Sequence, residues 1–231
     1  MRYVQGSQIS WEMYLYLHAL IKTHGYFETL VNSDLALFNR LDVSMENYLQ
    51  TPFEIRSQIW KELTRSVNDK HHAWRTPVLS TVALDEGVNS RTVVLRGAHE
   101  SENHLLIYTD ARSAKVSELE KNSQAFIVFW SPRLHWQLRV KVNISTHTAG
   151  PLVDQLWAKV SQSAAASDYI SPSAPGTQLV AEFESVNTDN STEHHFAVLV
   201  AQIHEMDWLE LSRNGHRRAK IIGNSWDWLT P

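Results

Sequence analysis

Alternating apolar and polar residues indicate β-strands along most of the chain after about residue 77. The clearest case is Trp136–Ser145 (WQLRVKVNIS), in which charged and amide side chains alternate with aliphatic ones from Gln137 to Ile144. A period of two is typical of a strand with one buried face. From the same alternation and from runs of β-branched residues, the sequence predicts further strands at Val78–Leu84, Arg91–Arg96, His104–Thr109, Gln124–Trp130, Glu193–Ile203, Glu205–Leu211 and His216–Ile222.

Helical periodicity is clear in three segments after residue 50. After Pro52, the segment Phe53–Val67 spaces its apolar residues by three and four, as on one face of an amphipathic helix. Shorter helices are predicted at Lys115–Lys121 and Val153–Ala166. Because strands do not alternate with helices, we expect an α+β, mainly antiparallel β fold: a barrel or sandwich with peripheral helices.

The first 50 residues differ from this pattern. They contain two short candidate helices, Trp11–Leu20 and Asn32–Leu41, and no residue to which we assign chemistry. We therefore expect residues 1–50 to be an N-terminal helical extension of unknown role, and residues 51–231 to form the domain proper.

Composition excludes several classes of protein. The chain of 231 residues has a net charge of −4, so neither nucleic acid nor an anionic membrane is expected as a partner. It contains no cysteine, which excludes disulfides, thiol catalysis and cysteine-based metal sites and leaves the cytoplasm as the default location. We identify no signal peptide, no apolar run long enough to span a membrane, and no signature of a P-loop, zincin or GxSxG hydrolase.

Two arginines near the start of the segment Ser90–Lys115 are the first candidates for chemistry. Arg91 and Arg96 lie on one predicted strand, and arginine suits planar, bidentate recognition of phosphate. The alternative is a pair of solvated arginines on an edge strand.

The end of the same segment runs from a strand into the start of a helix. A helix N-terminus binds anions through its free N–H groups, and here Ser113 adds a hydroxyl while Arg112 and Lys115 add charge. The alternative is a helix capped by Asp110 or Ser113, with solvated cations.

Three further groups of residues are weaker candidates for a functional site. Gln137 lies among aromatic residues, where an amide suits the polar edge of a heteroaromatic ring, or is simply solvated. The run His216–Arg218 opens the last predicted strand, and it is either functional or a charged edge that deters aggregation. The histidines His99 and His104, and those next to Glu193, lack metal-site spacing and are treated as surface residues.

Taken in order, these segments resemble the pyridoxamine 5'-phosphate oxidase family of FMN-binding split barrels. The resemblance covers about Phe53 to Pro231. It rests on SRTVVLR (90–96), YTDARSAK (108–115), WQLRV (136–140), Leu156-Trp157 followed by Pro175-Gly176, HRR (216–218) and the terminal Trp-x-x-Leu-x-Pro (226–231). The family implies a six-stranded antiparallel split β-barrel with peripheral helices, in a homodimer whose flavin site lies at the subunit interface.

The resemblance also implies FMN as cofactor and a role for each matching residue. Residues that would line the flavin or flank its ribityl-phosphate are Arg91, Thr92, Val93, Val94, Tyr108 and Thr109. Ser113 and Lys115 would bind the phosphate itself. Gln137 would hydrogen-bond the isoalloxazine ring from the other subunit, and Arg218 would be another flavin contact.

Two residues would face a small-molecule substrate. Arg96 stands in the position of a family lysine that contacts both flavin and substrate, and His216 would lie on the substrate side. No residue is assigned as a catalytic acid or base, and none as a metal ligand.

The sequence departs from the family pattern at three places. Asn143 replaces a frequent glycine, residues 162–166 lack the arginine usually offered to a substrate phosphate, and Trp208–Leu211 replaces an aromatic-rich stretch. We therefore expect an FMN-dependent oxidoreductase of unidentified substrate, with FMN binding better supported than oxidation of pyridoxamine phosphate. The alternatives are a non-catalytic flavin, haem or other tetrapyrrole carrier, a barrel that has lost its ligand, and deazaflavin in place of FMN.

Overall fold

The structure is a computed structural model and describes residues 51–85, 87–178 and 194–231. The expected N-terminal extension of residues 1–50 and the predicted strand start at Glu193 lie outside the described residues. The domain boundary at residue 51 therefore stays a prediction.

The first helix of the described residues, α1 (Pro52–Asn68), follows the predicted amphipathic pattern. Thr51 caps it: the threonine hydroxyl accepts a hydrogen bond from the Glu54 N–H at 3.3 Å, and the Glu54 carboxylate accepts one from the Thr51 N–H at 2.7 Å. This reciprocal pair satisfies two N–H groups that a helix start leaves free. The buried face of α1, which includes Ile55, Ile59 and Leu63, packs into the main core.

The other helices in residues 51–85, 87–178 and 194–231 are short. They are α2 (Ala114–Lys121), α3 (Pro151–Val160) and two 3₁₀ helices, Ala73–Arg75 and Ala164–Tyr169. The predicted helix Val153–Ala166 is thus wrong in extent, since α3 ends at Val160. The Ser163 hydroxyl donates to the Val160 carbonyl at 2.7 Å and accepts from the Ala165 N–H, so serine competes with the helical hydrogen bonds there.

Nine antiparallel strands form one sheet in the described part of the chain. They are β1 (Val78–Val82), β2 (Val88–Thr92), β3 (Leu95–His99), β4 (His104–Asp110), β5 (Gln124–Ser131), β6 (Trp136–His147), β7 (Phe196–Glu210), β8 (Arg217–Ile222) and β9 (Ser225–Leu229). The main path runs β2-β1-β5-β6-β7-β4-β3, and β8 pairs with β7 and with β9.

The two ends of that seven-strand path, β2 and β3, are joined by only two residues, Val93 and Val94. A connection this short requires the two edges to lie close in space, within about 12 Å. The sheet must therefore curl, while β2 and β3 stay unpaired with each other. We call this opening the seam. A curled antiparallel sheet with one open seam is the expected split barrel.

The predicted strand Arg91–Arg96 is wrong, because the seam interrupts it. Arg91–Arg96 was expected to be continuous, but β2 ends at Thr92 and β3 begins at Leu95. The Val93 N–H bonds the Pro77 carbonyl at 3.0 Å, next to β1, whereas Leu95 pairs with Ile107 of β4. The chain changes partners between these residues, so Arg91 and Arg96 belong to different strands.

The structure differs from the strand predictions at two other places. Glu193–Ile203 and Glu205–Leu211 form the single strand β7, because a bulge opposite Lys141 and Val142 absorbs His204 without ending the pairing. The terminal aromatic segment, not assigned to a strand from sequence, contains β9, so β8 is not the last strand.

Two apolar clusters fill the described part of the fold. The main core lies inside the curled sheet and includes Trp74, Phe129, Leu138 and Trp208. A second cluster lies on the outer face, where α3 and Tyr169 cover Phe196 and Val198 of β7. The sheet is therefore apolar on both faces along part of β4 and β7, but on the inner face alone elsewhere.

Candidate functional site

Arg91 lies at the end of a buried polar network rather than free in solvent. Its guanidinium forms an ion pair with Glu118 of α2 at 2.8 Å and also donates to the Thr81 hydroxyl. Glu118, whose side chain is 4% exposed, accepts further hydrogen bonds from Thr81 at 2.6 Å and Asn89 at 2.8 Å. Arg91 is thus held rigidly between β2 and α2, and its charge is already partnered within the chain.

Burial alone would raise the pKa of Glu118. Hydrogen bonds from Thr81, Asn89 and Arg91 act in the opposite direction and hold the pKa of that carboxyl below its ordinary value. The carboxylate is therefore ionised at neutral pH and fixes α2 against β1 and β2.

The start of α2 brings the other predicted phosphate-binding groups together. Ser113, 2% exposed, is the N-cap residue, and its hydroxyl lies 3.1 Å from that of Thr109 while donating to the Asp110 carbonyl. The Lys115 ammonium donates to the same Thr109 hydroxyl at 3.0 Å. Thr109, Ser113 and Lys115 therefore converge at a helix N-terminus, which carries a partial positive charge.

Lys115 is the cation of this cluster that remains available. Burial lowers the pKa of its ammonium and the neighbouring Arg91 guanidinium lowers it further, while the Asp110 and Glu118 carboxylates oppose this in part. Among the described residues no carboxylate forms an ion pair with Lys115. An anion here would oppose both effects by stabilising the charged ammonium, so the donor set fits a phosphate group.

Arg112 has a different role from the one its sequence position suggested. It precedes α2, where it forms an ion pair with Asp110 at 2.7 Å and donates to the Ser171 carbonyl at 2.9 Å. Further donation reaches the carbonyls of Pro172 and Ser173. Arg112 thus attaches the 171–173 loop to the end of β4 and is not part of the anion-binding group.

Arg96 and Tyr108 form a second group, on the outer face of the sheet. The Arg96 guanidinium lies 5.8 Å from the centre of the Tyr108 ring, within cation–π range, and Tyr108 packs on Phe196. Burial raises the pKa of Tyr169, and the nearby Arg96 charge opposes that shift. Arg96 therefore borders an aromatic cluster rather than the Lys115 group.

Gln137 and Arg218 lie in one row across the outer face. Gln137 pairs with Trp130 and Leu209, and Leu209 pairs with Arg218. Directly opposed residues share a sheet face. Arg218 forms an ion pair with Asp207 at 2.7 Å, and Trp130 is 43% exposed. The row thus joins a half-buried amide, an exposed aromatic ring and a half-buried, ion-paired guanidinium.

The remaining predicted residues lie at the seam and in the turn before β8. Thr92 is exposed, Val93 is buried and Val94 is half-buried, all at the seam. His216 precedes β8 in an exposed turn, where its ring Nδ1 accepts a hydrogen bond from the Ser212 N–H at 3.1 Å.

The predicted residues therefore divide between the two faces of the sheet. Arg91 pairs with buried Leu79, which pairs with buried Ile127, so Arg91 lies on the inner side. Gln137 lies on the outer side, because its neighbours Trp136 and Leu138 are in the core. Arg91 and Gln137 of one chain therefore lie on opposite faces of the sheet.

The part of the chain that contains these residues is similar to a known protein family. The sequence profile described as "Pyridoxamine 5'-phosphate oxidase, FMN-binding domain" matches residues 57–148, which contain the seam, α2 and Gln137. Residues 57–148 are therefore similar to the FMN-binding domain of the pyridoxamine 5'-phosphate oxidase family. A curated pyridoxine/pyridoxamine 5'-phosphate oxidase of Ruegeria sp. (strain TM1040) is 31% identical over 141 residues, 58% of this chain. The chain spans 66% of that relative, slightly less than two thirds of its length.

Two solved structures share the fold of this chain. A pyridoxamine 5'-phosphate oxidase-related, FMN binding protein of Nostoc punctiforme PCC 73102 has a TM-score of 0.58 at 22% identity and covers 79% of this chain and 99% of its own. PhzG of Burkholderia lata 383, solved with tetrahydrophenazine-1-carboxylic acid, has a TM-score of 0.61 at 17% identity, covering 80% and 96%. These likenesses confirm the split-barrel fold. In the described ranges, each helix is too short or too polar to cross a membrane.

Sequence reasoning missed the partners that hold these residues in place. Glu118, Thr81 and Asn89 surround Arg91, and Asp207 joins Arg218 to Arg139. One signal was available for Glu118: it follows Lys115 by three positions on a predicted helix, so both face the same side. No sequence signal pointed to Thr81 or Asn89.

Proposed function

We propose that the protein is an FMN-dependent oxidoreductase that acts as a homodimer on a small-molecule substrate not yet identified. The observation that supports this most directly is the convergence of Thr109, Ser113 and Lys115 at the N-terminus of α2. These are the positions that the family resemblance places at or beside the flavin phosphate. Thr109 and Ser113 are buried, Lys115 is half-buried, and no carboxylate among the described residues forms an ion pair with the lysine.

The division of residues between the two faces supports a site shared by two chains. Lys115 and Ser113 would hold the phosphate in one subunit, while Gln137 of a second subunit would contact the ring. Trp130, exposed beside Gln137, would then be covered by the partner. Arg218 lies in the same row and is proposed as a further contact on that side.

Bound FMN would supply the hydride-accepting chemistry, and the side chains would bind and orient it. Arg91 positions α2 and the seam through Glu118, so its proposed role toward the flavin combines position with charge. Backbone groups of Thr92, Val93 and Val94 at the seam would approach the ring edge. Arg96 and His216 are proposed to face the substrate.

The proposal is tested by identifying what the purified, untagged chain binds. We expect the visible absorption bands of a flavin, either as isolated or after addition of FMN, with FMN preferred over riboflavin because riboflavin lacks the phosphate. A chain that binds neither, or binds both equally, would refute the phosphate site. A Soret band after haemin addition without any flavin binding would instead establish the tetrapyrrole carrier.

A further inference from the structure

Three potential metal ligands meet at the hairpin that joins β3 to β4. His99 is the last residue of β3, His104 is the first of β4, and the two are directly opposed. Glu102 lies in the turn between them. One ligand atom from each of the three residues lies within 4.8 Å of the others. The Glu102 carboxylate is 3.2 Å from the His104 Nδ1, and the two imidazole rings are 4.6 Å apart.

The turn that carries Glu102 is held in place from two sides. Asn103 adopts a positive φ of 54°, and its N–H bonds back to the Glu100 carbonyl at 3.1 Å. Its side-chain amide donates to the Ile203 carbonyl at 2.8 Å, and Gln202 donates to the Glu102 carbonyl at 3.1 Å. Because the backbone is fixed against β7, Glu102 loses little freedom when its carboxylate binds a ligand.

The outer side of the turn is also attached. Glu100 forms an ion pair with Arg56 of α1 at 3.1 Å. On the strand side, Gly97 leaves the space that the His99 ring uses: a Cβ at Gly97 would lie 3.0 Å from the His99 Nε2. The hairpin therefore presents two imidazoles and one carboxylate from a defined backbone.

We propose that His99, Glu102 and His104 bind a divalent first-row transition metal such as Zn²⁺. Imidazole and carboxylate ligands suit zinc, and two histidines with one carboxylate form a three-ligand set that leaves a coordination position for water or another ligand. His99 and Glu102 are exposed and His104 is half-buried, so this position opens toward solvent. The small approach still needed for bonds of about 2 Å is within reach of side-chain rotation.

This site is separate from the proposed flavin phosphate site. His104 begins β4 and Thr109 lies near its other end, five residues along, which is about 17 Å on an extended strand. Loss of metal binding at the hairpin is therefore not expected to remove FMN binding, nor the reverse. The metal proposal stands on the hairpin alone and does not depend on the proposed oxidoreductase function.

The test is titration of the untagged, metal-free full-length chain with Zn²⁺ by calorimetry, with Co²⁺ absorbance as a spectroscopic check of coordination. We expect saturable binding of one Zn²⁺ at this hairpin. His99→Ala, His104→Ala and Glu102→Gln are each expected to weaken it at least about tenfold, since even the loss of outer-shell partners has effects of about 10- to 100-fold. His71→Ala, which changes an exposed loop histidine, is the matched control and should bind as the unaltered chain does.

Several results would overturn this site. One is the absence of saturable Zn²⁺ binding in the unaltered chain. Another is binding that survives all three ligand substitutions or is lost equally in His71→Ala. Competition by Mg²⁺ at comparable concentration would also contradict it, because Mg²⁺ prefers oxygen ligands over imidazole. Far-UV circular dichroism of each variant distinguishes lost ligation from lost folding, and the flavin titration described above is independent of either result.

Discussion

Replacing Glu118 with alanine is expected to destabilise the fold by about 3 kcal/mol, because breaking a buried ion pair leaves the remaining charge without compensation. Arg91 would lose its carboxylate, and Thr81 and Asn89 would lose a hydrogen-bond acceptor. For a domain of this size the loss corresponds to a drop in Tm of about 6–12 °C. Thermal and urea unfolding of the variant measure it directly.

The control is Glu120→Ala, which removes an exposed carboxylate from the same helix and should leave the free energy of unfolding within about 0.5 kcal/mol. The pKa of Glu118 is held below its ordinary value of 4.5, so its contribution is fully present above that pH and is lost as the pH falls through the lower folded pKa. The stability gap between wild type and Glu118→Ala should therefore narrow in acid. Equal stability of the two variants at neutral pH would show that the network does not support the fold.

Replacing Lys115 with methionine is expected to weaken FMN binding about 10- to 100-fold, because a hydrogen bond to a charged group contributes about 1.5–3 kcal/mol. Methionine keeps the length and apolar stem of lysine but removes the ammonium. Riboflavin affinity should change little, since riboflavin carries no phosphate. Fluorescence titration with both flavins measures the two affinities on the same protein.

The matched control is Lys121→Met, at the far end of the same helix, where the lysine bonds only the Leu84 carbonyl among the described residues. It should bind FMN as wild type does. If Lys115→Met binds FMN with unchanged affinity, or loses FMN and riboflavin equally, the phosphate does not lie at the start of α2.

Most strands of the sheet could be predicted from the sequence, but the break between β2 and β3 could not. Alternation in Trp136–Ser145 follows from one face meeting the core, and this is a local property of the strand. The break at Val93 and Val94 is not local. Both are β-branched and favour a strand, and the chain leaves one ladder for another there only because the sheet curls to bring β2 beside β3.

The candidate site shows the same limit. Ser113 and Lys115 could be predicted as neighbours because a strand end and a helix start fix their spacing. The ion pair between Arg91 and Glu118 depends on packing of α2 across β1 and β2, which no local pattern encodes. The partners of Arg112 could not be predicted for a similar reason, since those at 171–173 lie about 60 residues away.

The central claim is that two chains together form each flavin site, with Lys115 from one and Gln137 from the other. It is tested most directly by mixing Lys115→Met and Gln137→Ala chains, each with a different affinity tag, and isolating the dimer that carries both. One of its two sites would then combine the native Lys115 of one chain with the native Gln137 of the other. We expect this mixed dimer to bind one FMN with wild-type affinity, although each variant alone binds weakly. A mixed species that binds no better than either variant, or a chain that stays monomeric with FMN bound, would contradict the account.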